Sequence, residues 1–315
     1  MIRYYSVDKK EVVEVDSINK ACWINISSPF DKNELIKLSE SYDIPLDYLT
    51  DSLDIDERSR YELEDDVKLI VLNTPLLNTD EEGNKPIYIT APIGIILTPS
   101  FIITISLLNN PIINAFLKNK IKNFNPKDDK LFVLQLFEQN VYSYLDCLKK
   151  LNLRRDLIEQ ELYNSSRNSE LRQLHRIEKS LVYFVTALSS NELLKLKIKR
   201  SDFLKIRELE NHSDLFEDII IDNSQALEMA NVHTNILSST TEVFASVVSN
   251  NLNEFIQRLT LITIILMVPT LVASFYGMNV ALPFMDNKNA FFIIVLLSII
   301  LIVFLVWFFR RKKMI

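Results

Sequence analysis

The sequence predicts an α+β protein: a small α/β part at the N-terminus and a long helical stalk, followed by two C-terminal transmembrane helices. Three observations predict it. Residues 1 to about 125 carry short β-rich runs punctuated by Pro29, Pro45, Pro75, Pro86, Pro92, Pro99 and Pro111. No proline interrupts the chain between Pro126 and Pro269 and no glycine between Gly94 and Gly277, so the strongest helix breakers are missing there. Near the C-terminus lie two long runs without a charged residue.

In the first part, residues 1–7, 11–15 and 22–26 alternate or are β-rich, and 67–72, 87–97 and 101–106 are stronger strand candidates. The helical stretch begins with 131–163 and 170–199. Their apolar side chains recur at helical spacing with charges between, which predicts an antiparallel pair joined by the polar turn 164–168. A further helix starts near Ser213. Its apolar positions Phe216, Ile220, Leu227, Ala230, Leu237, Phe244, Val248, Phe255 and Leu259 repeat at about three and a half residues, and it runs unbroken toward the first uncharged segment.

Between Arg258 and Asp286 no charge occurs, and 289–309 is almost wholly apolar. Each run approaches the roughly 20 residues that cross about 30 Å of hydrocarbon. The alternative for either is a buried core helix. Arg310, Arg311, Lys312 and Lys313 follow the second run directly, as the positive-inside tendency places them on the cytoplasmic side. Two spans return the chain to its starting side. The predicted layout is a cytoplasmic α/β domain (1–125), a helical stalk (126–256), a first span (257–276), a short external loop (277–289), a second span (290–309) and a basic cytoplasmic tail (310–315) in a cell (inner or plasma) membrane.

Composition excludes other classes. The net charge of −6 opposes a nucleic-acid partner and suits a cationic one. Three glycines, Gly83, Gly94 and Gly277, cannot build a Gly-rich phosphate cradle. Cys22 and Cys147 lie far apart, and Arg3, Asp8, Lys9 and Lys10 stand where an apolar leader would be, so the bulk of the chain is expected to be cytosolic with reduced thiols. His175, His212 and His233 have no zinc-site spacing; His212, near Asp214 and Asp218, is expected to be solvent-exposed.

The inter-span loop opens with Tyr276-Gly277-Met278-Asn279. In this motif, at the end of the first of two C-terminal spans and ahead of a short loop and a basic tail, the sequence resembles the CorA family of divalent-cation transporters. The likeness extends to the whole layout. It departs after the tripeptide, where many members have an acidic residue and this chain reads Val280-Ala281-Leu282-Pro283-Phe284, with Asp286 the nearby carboxylate. The resemblance implies a homo-oligomer, a pentamer, carrying chiefly Mg²⁺, with Co²⁺ and Ni²⁺ passing through relatives.

Physical chemistry supplies a reason for the motif. Mg²⁺ sheds its water reluctantly, so a selective mouth should hydrogen-bond the hydrated ion rather than strip it. A ring of neutral Asn279 amides does this without trapping the ion as carboxylates do. Gly277 is expected to permit a tight turn at the helix end that aims Asn279 inward. The alternative is an asparagine in an ordinary helix cap and loop.

Below the mouth, Asn253, Ile256, Thr260, Thr263, Met267, Thr270 and Ser274 follow one another at three or four residues, the stripe expected of a pore-lining face. The hydroxyls have an alternative use in helix contacts. The resemblance implies a hydrophobic gate near the cytoplasmic end, at Ile256, Leu259 and Met267, with Asn253 below. Pro269 removes one hydrogen bond and predicts a kink.

Of the acidic clusters, 51–57 and 62–66 read as solvated surface. For the others the resemblance implies a regulatory role, with Mg²⁺ bridging carboxylates of neighbouring subunits. Counting back from the pore helix places Asp218 at one such ligand position and, by a looser match, Asp80 at its partner. Two rivals stay open. One is a zinc transporter of the same fold, disfavoured by the intact Gly-Met-Asn because the zinc branch varies the middle residue. The other is a membrane-anchored helical scaffold or sensor without transport. No covalent chemistry is expected.

Overall fold

The computed structural model describes residues 1–8, 11–80, 84–164, 168–278, 283 and 289–312. The chain forms two compact units, Met1–Thr241 and Glu242–Ile315.

In the first unit, β1 (Ile2–Asp8), β2 (Glu11–Val15), β3 (Trp23–Ser27), β4 (Arg60–Glu64), β5 (Val67–Leu77), β6 (Tyr88–Leu97) and β7 (Ile102–Ser106) form one sheet in the order β2-β1-β3-β7-β6-β5-β4. All neighbours are antiparallel except β3 and β7, where Trp23 lies opposite Ile102. The chain between that parallel pair includes α1 (Lys32–Tyr42) and α2 (Leu46–Thr50). Asp31 caps α1 by accepting the Asn33 N–H at 2.9 Å.

Both sheet faces are buried, and this is why the central strands read as continuous apolar runs. Ile24, Ile26, Leu69, Val71, Ile96, Ile103 and Ile105 pack with Leu35, Leu38, Tyr48 and Leu49 of α1 and α2. The alternate positions Trp23, Ile70, Leu72, Ile93, Ile95 and Ile102 are buried as well. Across that second face run α4 (Asp129–Asn164) and α5 (Asn168–Ser201), after the short α3 (Pro111–Leu117). Trp23 meets Phe124 and Phe132 edge-on at 5.8 and 5.2 Å, and its indole N–H donates to Thr104 Oγ1 at 2.9 Å.

Asn73 shows how the helices are fastened to the sheet. The β4 ladder stops at the Arg60–Val71 pair, so beyond it β5 has no strand on that side. There Pro75 is tolerated, and the backbone of Asn73 turns to side chains. Its carbonyl accepts from Asn140 (3.1 Å) and Tyr144 (3.2 Å) of α4 and from Asn191 (2.8 Å) of α5. Its N–H donates to Asn191 Oδ1 at 3.2 Å. All four side chains are nine-tenths or more buried, so each lost partner leaves a desolvated polar group behind.

The strands at 1–7, 11–15, 22–26, 67–72, 87–97 and 101–106 are all present within a few residues, β5 extending further to Leu77. β4 is an addition: its charged sequence Arg60–Glu64 belongs to a sheet edge, where alternation is weak. Part of the acidic 62–66 cluster is therefore strand. The helical pair appears as α4 and α5; Asn164 closes one and Asn168 opens the other, and 165–167 lie outside the described residues. The next helix, α6 (Glu210–Tyr276), begins three residues before Ser213. Both cysteines are free, and burial pushes the Cys147 thiol up to about 12.

The second unit contains the remainder of α6 and α7 (Ala290–Arg311). α6 continues through Pro269. Both helices are long and apolar enough to cross a membrane. Neither is a buried core helix: Leu266 is 65% exposed, Met267 64% and Phe291 71%. From Gln257 onward, Leu261 and Phe309 are the buried apolar side chains among the described residues.

Gly94 sits where a side chain cannot go. A Cβ there would stand 2.1 Å from Ser52 Oγ and 2.7 Å from Ile105 Cγ2. Gly94→Ala is expected to destabilise the first unit by about 1–3 kcal/mol through overpacking, read as a lower denaturant midpoint at unchanged slope.

Candidate functional site

The predicted pore stripe lies on the last turns of α6. Asn253, Ile256, Leu259, Thr260, Thr263, Met267, Thr270 and Ser274 are all exposed in the single chain, as their common helical face requires. Thr263, Met267, Thr270 and Ser274, with Leu266 and Leu271, line a shallow open depression of about 490 Å³ along the helix. The threonine hydroxyls are engaged within it. Thr260 donates to the Ile256 carbonyl at 2.8 Å, Thr263 to Leu259 at 2.9 Å and Thr270 to Leu266 at 2.8 Å. These hydroxyls satisfy backbone carbonyls one turn earlier.

At the end of α6 the Gly277 N–H donates to the carbonyls of Ala273 (3.0 Å) and Ser274 (3.2 Å), and that of Met278 to Phe275 (3.2 Å). Gly277 is a turn residue directly after α6, which ends at Tyr276. Its backbone is outside the left-handed region, and a Cβ would meet carbonyl oxygens at 3.4 and 3.5 Å, ordinary contacts. The turn as formed therefore does not demand glycine. The Tyr276 hydroxyl donates to the Pro283 carbonyl at 3.0 Å and so spans the motif. Asn279 lies outside the described residues, as do Val280, Ala281, Leu282, Phe284 and Asp286. At the far end of α7, the Arg311 guanidinium lies over the Trp307 ring at 5.4 Å, the aromatic-and-basic pairing typical of a membrane interface. Lys313 lies outside the described residues.

The acidic candidates sit in the first unit. Asp80 follows β5 and forms an ion pair with Lys85, and its N–H donates to Asn78 Oδ1 at 3.1 Å. Glu81 and Glu82 lie outside the described residues. Asp218 is exposed near the start of α6, next to the Lys199–Glu217 ion pair at 3.1 Å. Within one chain, no group of three or more His, Cys, Asp or Glu side chains is arranged to hold a metal among the described residues. What the sequence reading missed is α4's share of the acidic surface. The half-exposed Tyr142 donates to Glu138 at 3.4 Å, and its phenol is pushed up by burial, then by the charges of Glu138, Asp222 and Asp218. Three carboxylates from two helices, Glu138 of α4 with Asp218 and Asp222 of α6, thus act on one neutral phenol. Glu138 is a lone carboxylate in an apolar run, which gave no signal.

His212 is not the exposed histidine expected. Its side chain is 12% exposed and its Nε2 lies 4.0 Å from Asp128 Oδ2, because α6 starts early enough to tuck it against the beginning of α4.

An α/β domain on a helical stalk, with two long apolar helices left exposed, defines a membrane protein with a large extramembrane domain. A family model described as CorA-like Mg²⁺ transporter protein matches residues 19–311, and the chain belongs to that family, one of transporters rather than enzymes. It is 26% identical over 276 residues to the cobalt/magnesium transport protein CorA of Methanocaldococcus jannaschii, covering 86% of this chain and 84% of that one. It is 25% identical over 268 residues to the magnesium transport protein CorA of Helicobacter pylori, covering 83% and 80%. The complete structure of the CorA magnesium transporter of M. jannaschii superposes with a TM-score of 0.81 at 24% identity, covering 100% of this chain and 99% of that one, so the fold is shared.

Tyr276→Phe removes one hydroxyl and no packing. Loss of a hydrogen bond worth about 1 kcal/mol is expected to raise amide exchange at Gly277 and Met278 roughly fivefold, with helix content unchanged.

Proposed function

We propose that the chain is one subunit of a homo-oligomeric channel, a homopentamer, that carries divalent cations, chiefly Mg²⁺, through a lipid bilayer. The observation that carries this reading is the exposed stripe of α6 ending at Gly277-Met278 and continuing in sequence to Asn279. Apolar and hydroxyl side chains on one face of an uncharged helix need cover from lipid or from further copies. Copies around an axis give a lined pore. The family and the names of its relatives, cobalt/magnesium and magnesium transport proteins, favour the same cargo.

In this reading Asn279 amides ring the entrance and hold the ion through its water shell. Ile256, Leu259 and Met267 form apolar rings that close the pore by dewetting, with Asn253 at the cytoplasmic end. The basic end of α7 and the first unit face the cytoplasm, and 277–289 faces outward.

Regulation rests on Asp218 and Asp80. One carboxylate from each of two subunits, completed by water, suits Mg²⁺, which favours a few protein oxygens and retained waters. The acidic patch around Tyr142 means that subunits brought together there repel unless a cation intervenes. High cytosolic Mg²⁺ then holds the closed arrangement, and its fall releases it.

Purified protein in liposomes loaded with a Mg²⁺ indicator tests the channel. Mg²⁺ influx is expected for the wild type and loss to the level of empty liposomes for Asn279→Ala. Flux unchanged by that substitution rejects the ring, and no flux of Mg²⁺, Co²⁺ or Zn²⁺ in the wild type favours a tether or scaffold. Asp218→Asn is expected to require about tenfold more internal Mg²⁺ to close the channel, within the usual range of coupling energies. An unshifted closing concentration rejects that site.

A further inference from the structure

Lys195 of α5 has no exposed surface. Its amine donates to Asn223 Oδ1 of α6 at 2.6 Å and lies 5.6 Å from the centre of the Phe137 ring of α4. Asn223 is buried completely too, and its Nδ2 donates to the Leu188 carbonyl of α5 at 3.1 Å. The pair is thus a polar bridge from α5 to α6 inside an otherwise apolar seam that includes Phe216 and Leu194.

An ammonium carries three donors, and the protein supplies one amide oxygen and a ring face. A buried charge so poorly satisfied is costly, whereas a neutral amine needs only the bond to Asn223. Burial accordingly pulls the Lys195 pKa down from 10.5 to about 7, against a smaller opposing effect of Glu192. Among the described residues, Glu192, on Lys195's own helix, is the charged group acting on the amine; the groups facing it from α4 and α6, Phe137 and Asn223, are uncharged.

We propose that Lys195 and Asn223 form a proton-operated latch on the stalk: α6 is held to α5 by a neutral amine, and opening of that contact takes up one proton. The sign follows from linkage. With the contact closed, Lys195 binds its proton only below about pH 7; once hydrated, it holds one up to about pH 10.5. Between these values opening becomes about tenfold more favourable for each unit that pH falls, and below the lower value the dependence flattens. Asn223 follows Asp218 and Asp222 on α6, so acidification loosens the helix turns that carry the proposed regulatory carboxylates.

Hydrogen exchange of the full-length protein in lipid nanodiscs reads the latch without involving transport, so its failure leaves the channel reading intact. With exchange corrected for intrinsic rates, the wild-type opening equilibrium across Leu188–Asn191 and Asn223–Ala226 should rise roughly tenfold per unit as pH is lowered from about 9.5 to about 7.5. Lys195→Met should abolish the slope. Asn223→Asp, which supplies an anionic partner and keeps the lysine charged while closed, should flatten it by another route. A flat wild-type profile, or a slope retained in Lys195→Met or in Asn223→Asp, overturns the proposal. Should Lys195→Met not fold, the wild type and Asn223→Asp decide.

Discussion

Among the described residues, many large apolar side chains of α6 and α7 stay exposed, and most of the architecture answers to that. Burial of apolar surface is worth roughly 25 cal/mol per Å², so a helix such as α6, which leaves Leu266 and Met267 more than half exposed, is unstable alone in water. Its backbone, however, is satisfied internally, which is the condition for a segment surrounded by hydrocarbon. Lipid, and in the proposed oligomer further subunits, would resolve the imbalance, and membership of a family of Mg²⁺ transporters agrees with a membrane setting.

The same helix behaves differently in its first turns. There Phe216, Ile219, Asn223, Ala226, Ala230 and Leu237 form one buried stripe, while Ile221, Val232 and Ile236 remain exposed. α6 therefore has a face committed to its own subunit and a face left over. The committed face rests on α4 and α5, which are tied to the sheet through Asn73 by buried amides and a phenol rather than by hydrophobic contact alone. Polar ties of this kind fix register, because a shift of one residue would strand several desolvated groups at once.

Much of this was legible in the sequence because it depends on periodicity. A sheet buried on both faces writes continuous apolar runs, and a stretch of more than a hundred residues without glycine or proline leaves little but helix to propose. What escaped notice lacks a one-dimensional mark. β4 is an edge strand whose charges hide its alternation. Glu138 joins Asp218 only because α4 and α6 come together. Lys195 sits among residues of helical spacing and looks like any lysine on an amphipathic helix until the fold encloses it. Gly277 was read as a turn residue and is one, directly after α6, but its backbone stays outside the left-handed region and does not use the freedom glycine offers. The motif's central amide, Asn279, was reached through resemblance and chemistry, not through packing.

The back-bonded threonines of α6 bear on which solutes their surface suits. Thr260, Thr263 and Thr270 each have a single hydroxyl proton, and each spends it on a carbonyl of its own helix. What remains facing outward is lone-pair density. A wall of that kind accepts from the hydrogens that a hydrated metal ion turns toward its surroundings, and it has no proton to offer a halide or an oxyanion. In the proposed pore, charge discrimination would be written into three neutral side chains, with no ionised group along the uncharged stretch to hold a passing ion in place.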